Sequence, residues 1–127
     1  MNGDRIVVDT NIALYLLAGN EEVIEILTGK ELLLSVITRM ELLSYPGLLR
    51  SQLPAIETFL ESWPVESLTD SIEREAVRIR KQYKLKLPDS IIAATAVHLE
   101  AQLISADKDM QRLVPEIEVI RYELRGE

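Results

Sequence analysis

The stretch Arg5-Ile6-Val7-Val8-Asp9-Thr10-Asn11 decides the fold. Ile6 to Val8 read as a short strand buried on both faces, and such strands belong to parallel sheets covered by helices. The carboxylate that follows at once, with polar Thr10 and Asn11 behind it, marks where the strand stops and a helix over about Asn11 to Ala18 begins. A charged group directly after a buried strand needs donors or a cation. Asp9 therefore reads both as a helix cap and as a candidate for chemistry.

The rest of the chain repeats this grammar. Gly19-Asn20 separates the first helix from a second over Glu21 to Leu27, and Gly29-Lys30 opens the next unit. Leu32 to Ile37 reads as a second buried strand. A helix over about Thr38 to Tyr45 follows, stopped by Pro46-Gly47, and another over about Pro54 to Ser62. Pro64 to Leu68 is a weaker third strand. Thr69 and Asp70 offer N-caps to a helix whose apolar Ile72, Ala76, Ile79 and Tyr83 fall at helical spacing. Pro88 suits the first turn of a helix through about Ala101. Strand Gln102 to Ser105, a short helix near Lys108 to Leu113 and a last strand Glu118 to Tyr122 complete the chain. Alternating strands and helices predict the α/β class, a three-layer α/β/α fold on a central parallel sheet of about five strands. No repeat, low-complexity tract or linker divides residues 1–127, so one domain is expected. In such sheets ligands sit beyond the carboxyl ends of the strands, where the strand order reverses.

Composition narrows the chemistry. Apolar residues make up 47% and charged residues 28%, the balance of a folded globular chain. With no cysteine, thiolate catalysis, disulfides and cysteine zinc sites are excluded. The start Met-Asn-Gly-Asp-Arg has no apolar export segment behind it, and stretches such as Ile91 to Leu99 are too short to span a bilayer. A cytoplasmic protein with no membrane role is expected. The net charge of −7 argues against nonspecific attachment to a phosphate backbone, but it is unevenly spread. Arg74, Arg78, Arg80, Lys81, Lys84 and Lys86 face only Glu75 within their window, which runs straight into Asp89.

Four acids stand after strand-like runs or at the opening of a helix: Asp9, Glu41, Asp89 and Asp107. Parallel strands would bring all four to one edge. Hard cations such as Mg²⁺ take oxygen ligands, and one or two of them can activate water for attack on phosphorus, so crowded carboxylates make sense if a metal neutralises them. Each acid also has a structural reading. Thr38-Arg39-Met40-Glu41 is a capping box by pattern, Asp89 would complement a helix dipole, and Asp107 would cap the short helix after it. The lone His98 lies mid-helix among Ala96, Val97 and Leu99 and is not assigned to catalysis.

Taken in order, Val8-Asp9-Thr10-Asn11, Thr38 to Glu41 behind an apolar strand, Leu87-Pro88-Asp89-Ser90-Ile91-Ile92-Ala93-Ala94-Thr95-Ala96 and Leu103-Ile104-Ser105-Ala106-Asp107-Lys108-Asp109-Met110 resemble the motifs of PIN-domain proteins. Among these the chain resembles the VapC-type toxin ribonucleases of type II toxin–antitoxin pairs. The resemblance spans nearly the whole chain. It departs at Ser105, where Thr is commoner, and at Met110, where Phe is commoner.

The resemblance implies a PIN-like sheet in the order 3-2-1-4-5. It makes Asp9, Glu41, Asp89 and Asp107 the catalytic quartet binding Mg²⁺ or Mn²⁺, with Asp109 as a further candidate ligand. Thr10, Asn11 and Ser105 would be supporting polar residues. The implied activity is cleavage of single-stranded RNA by an activated water. A small antitoxin protein and a homodimer are the implied partners.

Arg74, Arg78 and Lys81 share a helix face, and Lys84 and Lys86 continue toward the acids. This track is read as an RNA path, as a solvated face, or as a landing place for an acidic antitoxin. Leu42, Leu43, Tyr45, Leu48 and Leu49 would supply an apolar contact surface or pack in the core. The rival functions are a phosphatase or phospho-accepting domain with an acidic Mg²⁺ site, and a PIN-like module that binds RNA or protein without cutting. A phosphatase of the haloacid dehalogenase type would carry Asp where Asn11 stands. A receiver would show an acidic pair near the first strand and a late lysine, and neither is clear.

Overall fold

The computed structural model describes residues 4–47 and 50–124. Five strands, β1 (Arg5–Val8), β2 (Glu31–Ser35), β3 (Val65–Glu66), β4 (Gln102–Ser105) and β5 (Val119–Arg121), form one sheet in the order β3-β2-β1-β4-β5. Every neighbouring pair is parallel, with Val7 opposite Leu33 on one side and Leu103 on the other. The order reverses beside β1, which puts the carboxyl end of β1 at the crevice of the sheet.

Among the described residues six α-helices connect the strands: α1 (Thr10–Leu17), α2 (Glu21–Leu27), α3 (Val36–Leu43), α4 (Leu53–Ser62), α5 (Asp70–Tyr83) and α6 (Leu87–Leu99). Alternation along the strands sorts the core into two halves. Val7, Leu33 and Leu103 pack with Ile72, Ala76 and Ile79 of α5 and with Ile91 to Ala94 of α6. Ile6, Val8, Leu32, Leu34 and Ile104 face the other way, onto Ile12 and Ala13 of α1, Val23 and Leu27 of α2, Leu42 of α3 and Ile56 of α4. The three-layer α/β/α arrangement and the parallel sheet are as expected. Leu103 is fully buried at the centre of one half, so Leu103→Ala would cost about 2–5 kcal/mol.

Local chemistry sets the boundaries. Gly19 and Gly29 take positive φ at the ends of α1 and α2, and Lys84 and Glu100 adopt the same left-handed geometry where α5 and α6 stop. The Thr69 hydroxyl caps α5 by accepting from the Ile72 N–H. Four expectations shift. The second strand ends at Ser35, not Ile37, because the Ser35 hydroxyl accepts the Ile37 N–H at 3.1 Å and starts α3 there. Thr38 is thus the third residue of a helix rather than its cap, and the capping box with Glu41 does not form. The third strand keeps only Val65–Glu66, and Lys108–Leu113 winds as a 3-10 helix. His98 is exposed in the last turn of α6. Among the described residues no helix is long and apolar enough to cross a membrane.

Candidate active site

Asp9 follows β1 as the N-cap of α1, and Asp107 stands two residues beyond β4 as the N-cap of the 3-10 helix. Glu41 projects from α3, which follows β2, and Asp89 lies in the first turn of α6. The four carboxylates line one cleft of about 470 Å³ together with Thr10, Asn11, Leu14 and Tyr45. A larger hollow of about 770 Å³ lies between the end of α6 and the start of β5 and includes none of the four. Its wall is mainly apolar side chains and acids, with no pairing of acid and base that suggests catalysis, so size does not select the site.

Asp9 is the most fixed of the quartet. It is buried; its Oδ1 accepts the Ile12 N–H at 3.0 Å, and its Oδ2 accepts the Ser105 hydroxyl. Ser105 in turn accepts the Asp107 N–H at 2.9 Å, and Asp107 Oδ1 accepts the Asp109 N–H at 2.9 Å. Burial pushes the Asp9 carboxyl above its ordinary range, against hydrogen bonds from Ser105, Ile12 and Ala106, while the Asp107 charge pushes it further up. Both capping readings hold for Asp9 and Asp107. A cap engages only part of a carboxylate, since each oxygen accepts more than one bond.

Glu41 is oriented from below. The Thr10 hydroxyl donates to Glu41 Oε1, and the Thr10 and Thr38 oxygens stand 3.4 Å apart. Thr38 is fully buried. The sequence reading made Thr38 a helix cap and missed its place beneath the cleft. The signal was present, since residues three apart on a helix share a face.

Asp89 carries the electrostatic signature of the cluster. Burial first, then the charges of Asp107, Asp9 and Glu41, push its carboxyl up to about 6, with only Lys86 pulling down. Four like charges within reach of one another call for a cation, and an all-oxygen donor set suits a hard one. Among the described residues no group of three or more such side chains stands close enough, as placed, to hold an ion by itself. Asp9, Glu41, Asp89 and Asp107 are the residues that could hold it.

The remaining candidates divide. Asn11 is exposed and lines the cleft. Asp109 does not line it; its carboxylate pairs with Arg112 at 3.2 Å. Arg112 also donates to the Tyr83 and Lys84 carbonyls and so fastens the end of α5. Within the basic track, Arg78 is committed elsewhere. Its guanidinium bonds both oxygens of Glu116, the nearer at 2.7 Å, and pairs with Glu75. These bonds raise the Arg78 pKa and hold Glu116 below the usual carboxylate range. In this structure Arg78 therefore differs from the rest of the track, with its guanidinium engaged by two carboxylates that a phosphate would have to displace or share. Arg74, Lys81, Lys84 and Lys86 are exposed, and Lys86 acts on Asp89. Of the apolar set, Leu42 is core, Leu43 and Tyr45 are exposed, and Leu48 and Leu49 lie outside the described residues.

Comparison with known proteins agrees with this geometry. The family profile of the PIN domain matches residues 6–114. No curated protein matches the chain significantly. Among solved structures, a chain of a toxin–antitoxin complex from Klebsiella pneumoniae is 29% identical with a TM-score of 0.80, over 94% of this chain and 99% of that one. A chain of VapBC-1 from nontypeable Haemophilus influenzae is 26% identical with a TM-score of 0.73, over 92% and 97%. A chain of VapBC2 from Rickettsia felis, bound to a DNA fragment from their promoter, shares the fold at 16% identity and a TM-score of 0.79, over 94% and 99%. With a match over most of its length and an acidic cleft at the crevice of its sheet, the chain belongs to the PIN domain family.

Proposed function

We propose that this protein is a metal-dependent endoribonuclease that cuts single-stranded RNA, and that it is the toxin of a toxin–antitoxin pair. The observation that carries the reading is the meeting of four carboxylates, from four separate segments, in one cleft where the sheet order reverses. When bound, Mg²⁺ or Mn²⁺ supplies positive charge to the phosphoryl oxygens and a more acidic water nucleophile. The chain's part is to hold the carboxylates. Ser105 and the Ile12 N–H keep Asp9 from turning, Thr10 orients Glu41, and α6 presents Asp89 from its first turn. Leu14 and Ile92 give the cleft apolar walls that limit water around the charges.

The PIN match weighs against the phosphatase and phosphate-accepting rivals. The Klebsiella and Haemophilus likenesses support a small antitoxin as partner, and a homodimer is the assembly expected from the resemblance. The test is to express the chain and its Asp9→Asn variant briefly and sequence RNA ends, alongside cleavage by purified protein with EDTA and Mg²⁺ add-back. New RNA ends with the parent alone, and cleavage restored by Mg²⁺, are expected. Equal cutting by Asp9→Asn, or no cutting by the parent in Mg²⁺ or Mn²⁺, sinks the reading.

A further inference from the structure

The chain holds six aromatic residues, one Trp, four Tyr and one Phe, and five of them have an internal role. Tyr15 and Tyr122 meet edge to face with centroids 5.9 Å apart, Phe59 and Trp63 pack at 6.4 Å, and Tyr83 donates to Glu116. Tyr45 has neither a ring partner nor a side-chain hydrogen bond among the described residues, and it is 43% exposed. It is also the one aromatic among the described residues that lines the cleft of the four carboxylates.

The ring lies against the turn that follows it. A Cβ built at Gly47 would lie 3.0 Å from Tyr45 Cε2, 3.7 Å from Cδ2 and 3.8 Å from Cζ. Gly47 is not among the residues of positive φ, so backbone conformation does not require a glycine there. A side chain there would need the ring to give by a few tenths of an ångström. Pro46, between the two, stiffens the turn and lines the cleft as well. Tyr45 and Leu14 are shared with a neighbouring apolar hollow of about 350 Å³, walled by Leu17, Ala18 and Ile56. The ring therefore stands between a place for a phosphodiester and an apolar surface.

A single strand that brings its phosphate to the carboxylates carries its bases alongside, and proteins hold unpaired bases by stacking them on aromatic rings. A ring that already lies against the turn at Gly47 has less freedom to lose when a base covers its other face. We propose that Tyr45 is the stacking platform for a nucleobase next to the phosphate held in the acidic cleft. This rests on the ribonuclease reading. It deepens that reading by making an unpaired base part of what the site recognises. The competing role is a protein contact, with exposed Met40 and Leu43 of α3 close in sequence.

The experiment compares the parent with Tyr45→Phe, Tyr45→Leu and Tyr45→Ala. Binding is read by fluorescence anisotropy in Ca²⁺ buffer with two probes of equal length, a labelled oligoadenylate and a strand of abasic ribose phosphates. Tyr45→Leu and Tyr45→Ala should weaken oligoadenylate binding by roughly fivefold to a hundredfold, the range that base–aromatic stacking supplies. Tyr45→Phe should match the parent, and all four proteins should bind the abasic strand alike. Equal losses on both strands, no loss on either, or Tyr45→Leu behaving as Tyr45→Phe overturns the proposal. A lowered mass of Tyr45→Ala by light scattering with unchanged RNA affinity overturns it in favour of a protein contact. Cutting of the oligoadenylate by the parent in Mg²⁺ is scored separately, so stacking without cutting counts against the ribonuclease reading alone.

Discussion

The Ser105 hydroxyl donates to Oδ2 of Asp9 while accepting the Asp107 N–H at 2.9 Å. One side chain at the end of β4 thus ties the acid after β1 to the backbone of the acid after β4. The strands reinforce it, since the Asp9 N–H donates to the Ile104 carbonyl at 3.2 Å. The spacing of the two carboxylates is set by the sheet itself, which is stiffer than a loop.

Ser105→Ala removes a buried bond to a charged acceptor, and such bonds contribute about 1.5–3 kcal/mol. The variant should lose about that much stability at pH 7 in urea denaturation. The loss should shrink as acid protonates Asp9, because a neutral carboxyl needs the donor less. A variant as stable as the parent at pH 7 would show that the hydroxyl does not support Asp9.

The sheet was legible because β1, β2 and β4 are runs of apolar residues with no competing helical pattern, and Gln102–Ser105 was bounded correctly at both ends. The boundary between β2 and α3 was not. Val36 and Ile37 continue the apolar run, and only the Ser35 hydroxyl, which turns the chain, distinguishes helix from strand there. The acids were legible as junction residues, and the cleft lined by all four gives them a common place. The commitment of Arg78 was hidden because Glu116 lies 38 residues away in sequence. Pairing across that distance depends on how α5 sits against the segment before β5, which local spacing does not report.

Asp89 predicts a pH dependence of stability. Its carboxyl rises from its ordinary 3.8 to about 6 in the fold, so the folded chain holds that proton more tightly than the unfolded one. The stabilising contribution is present below about pH 4 and is lost as pH rises through 6. At full weight this is about 3 kcal/mol, and screening at a half-exposed group reduces it to about 1 kcal/mol. In EDTA, Asp89→Asn should therefore melt higher than the parent at pH 7.5 and level with it near pH 4. The opposite ordering at pH 7.5 would mean that burial and the neighbouring acids do not disfavour the Asp89 charge.

Glu41 sits in the interior of α3, so no cap is lost when it is changed. In Glu41→Gln the amide oxygen can still accept from Thr10, while the charge that attracts a cation is gone. The melting temperature should stay within a few degrees of the parent. Mn²⁺ affinity, measured by titration calorimetry, should fall at least about tenfold, and RNA cleavage should fall with it. Unchanged Mn²⁺ affinity would remove Glu41 from the site.

Arg78 and Lys86 lie in one basic window and should behave differently. Arg78 latches α5 to the segment before β5 through Glu116, and its side chain is 40% exposed, so Arg78→Ala should cost only about 1 kcal/mol or less. Its RNA affinity should be near that of the parent. Lys86 is exposed and acts directly on Asp89, so Lys86→Ala should leave stability nearly unchanged. It should weaken RNA binding and reduce the slope of log affinity against log salt by about one. The two effects are separable by measuring urea midpoints and salt-dependent RNA binding on both variants. A flattened salt slope for Arg78→Ala would return that guanidinium to the RNA path despite its two carboxylate partners.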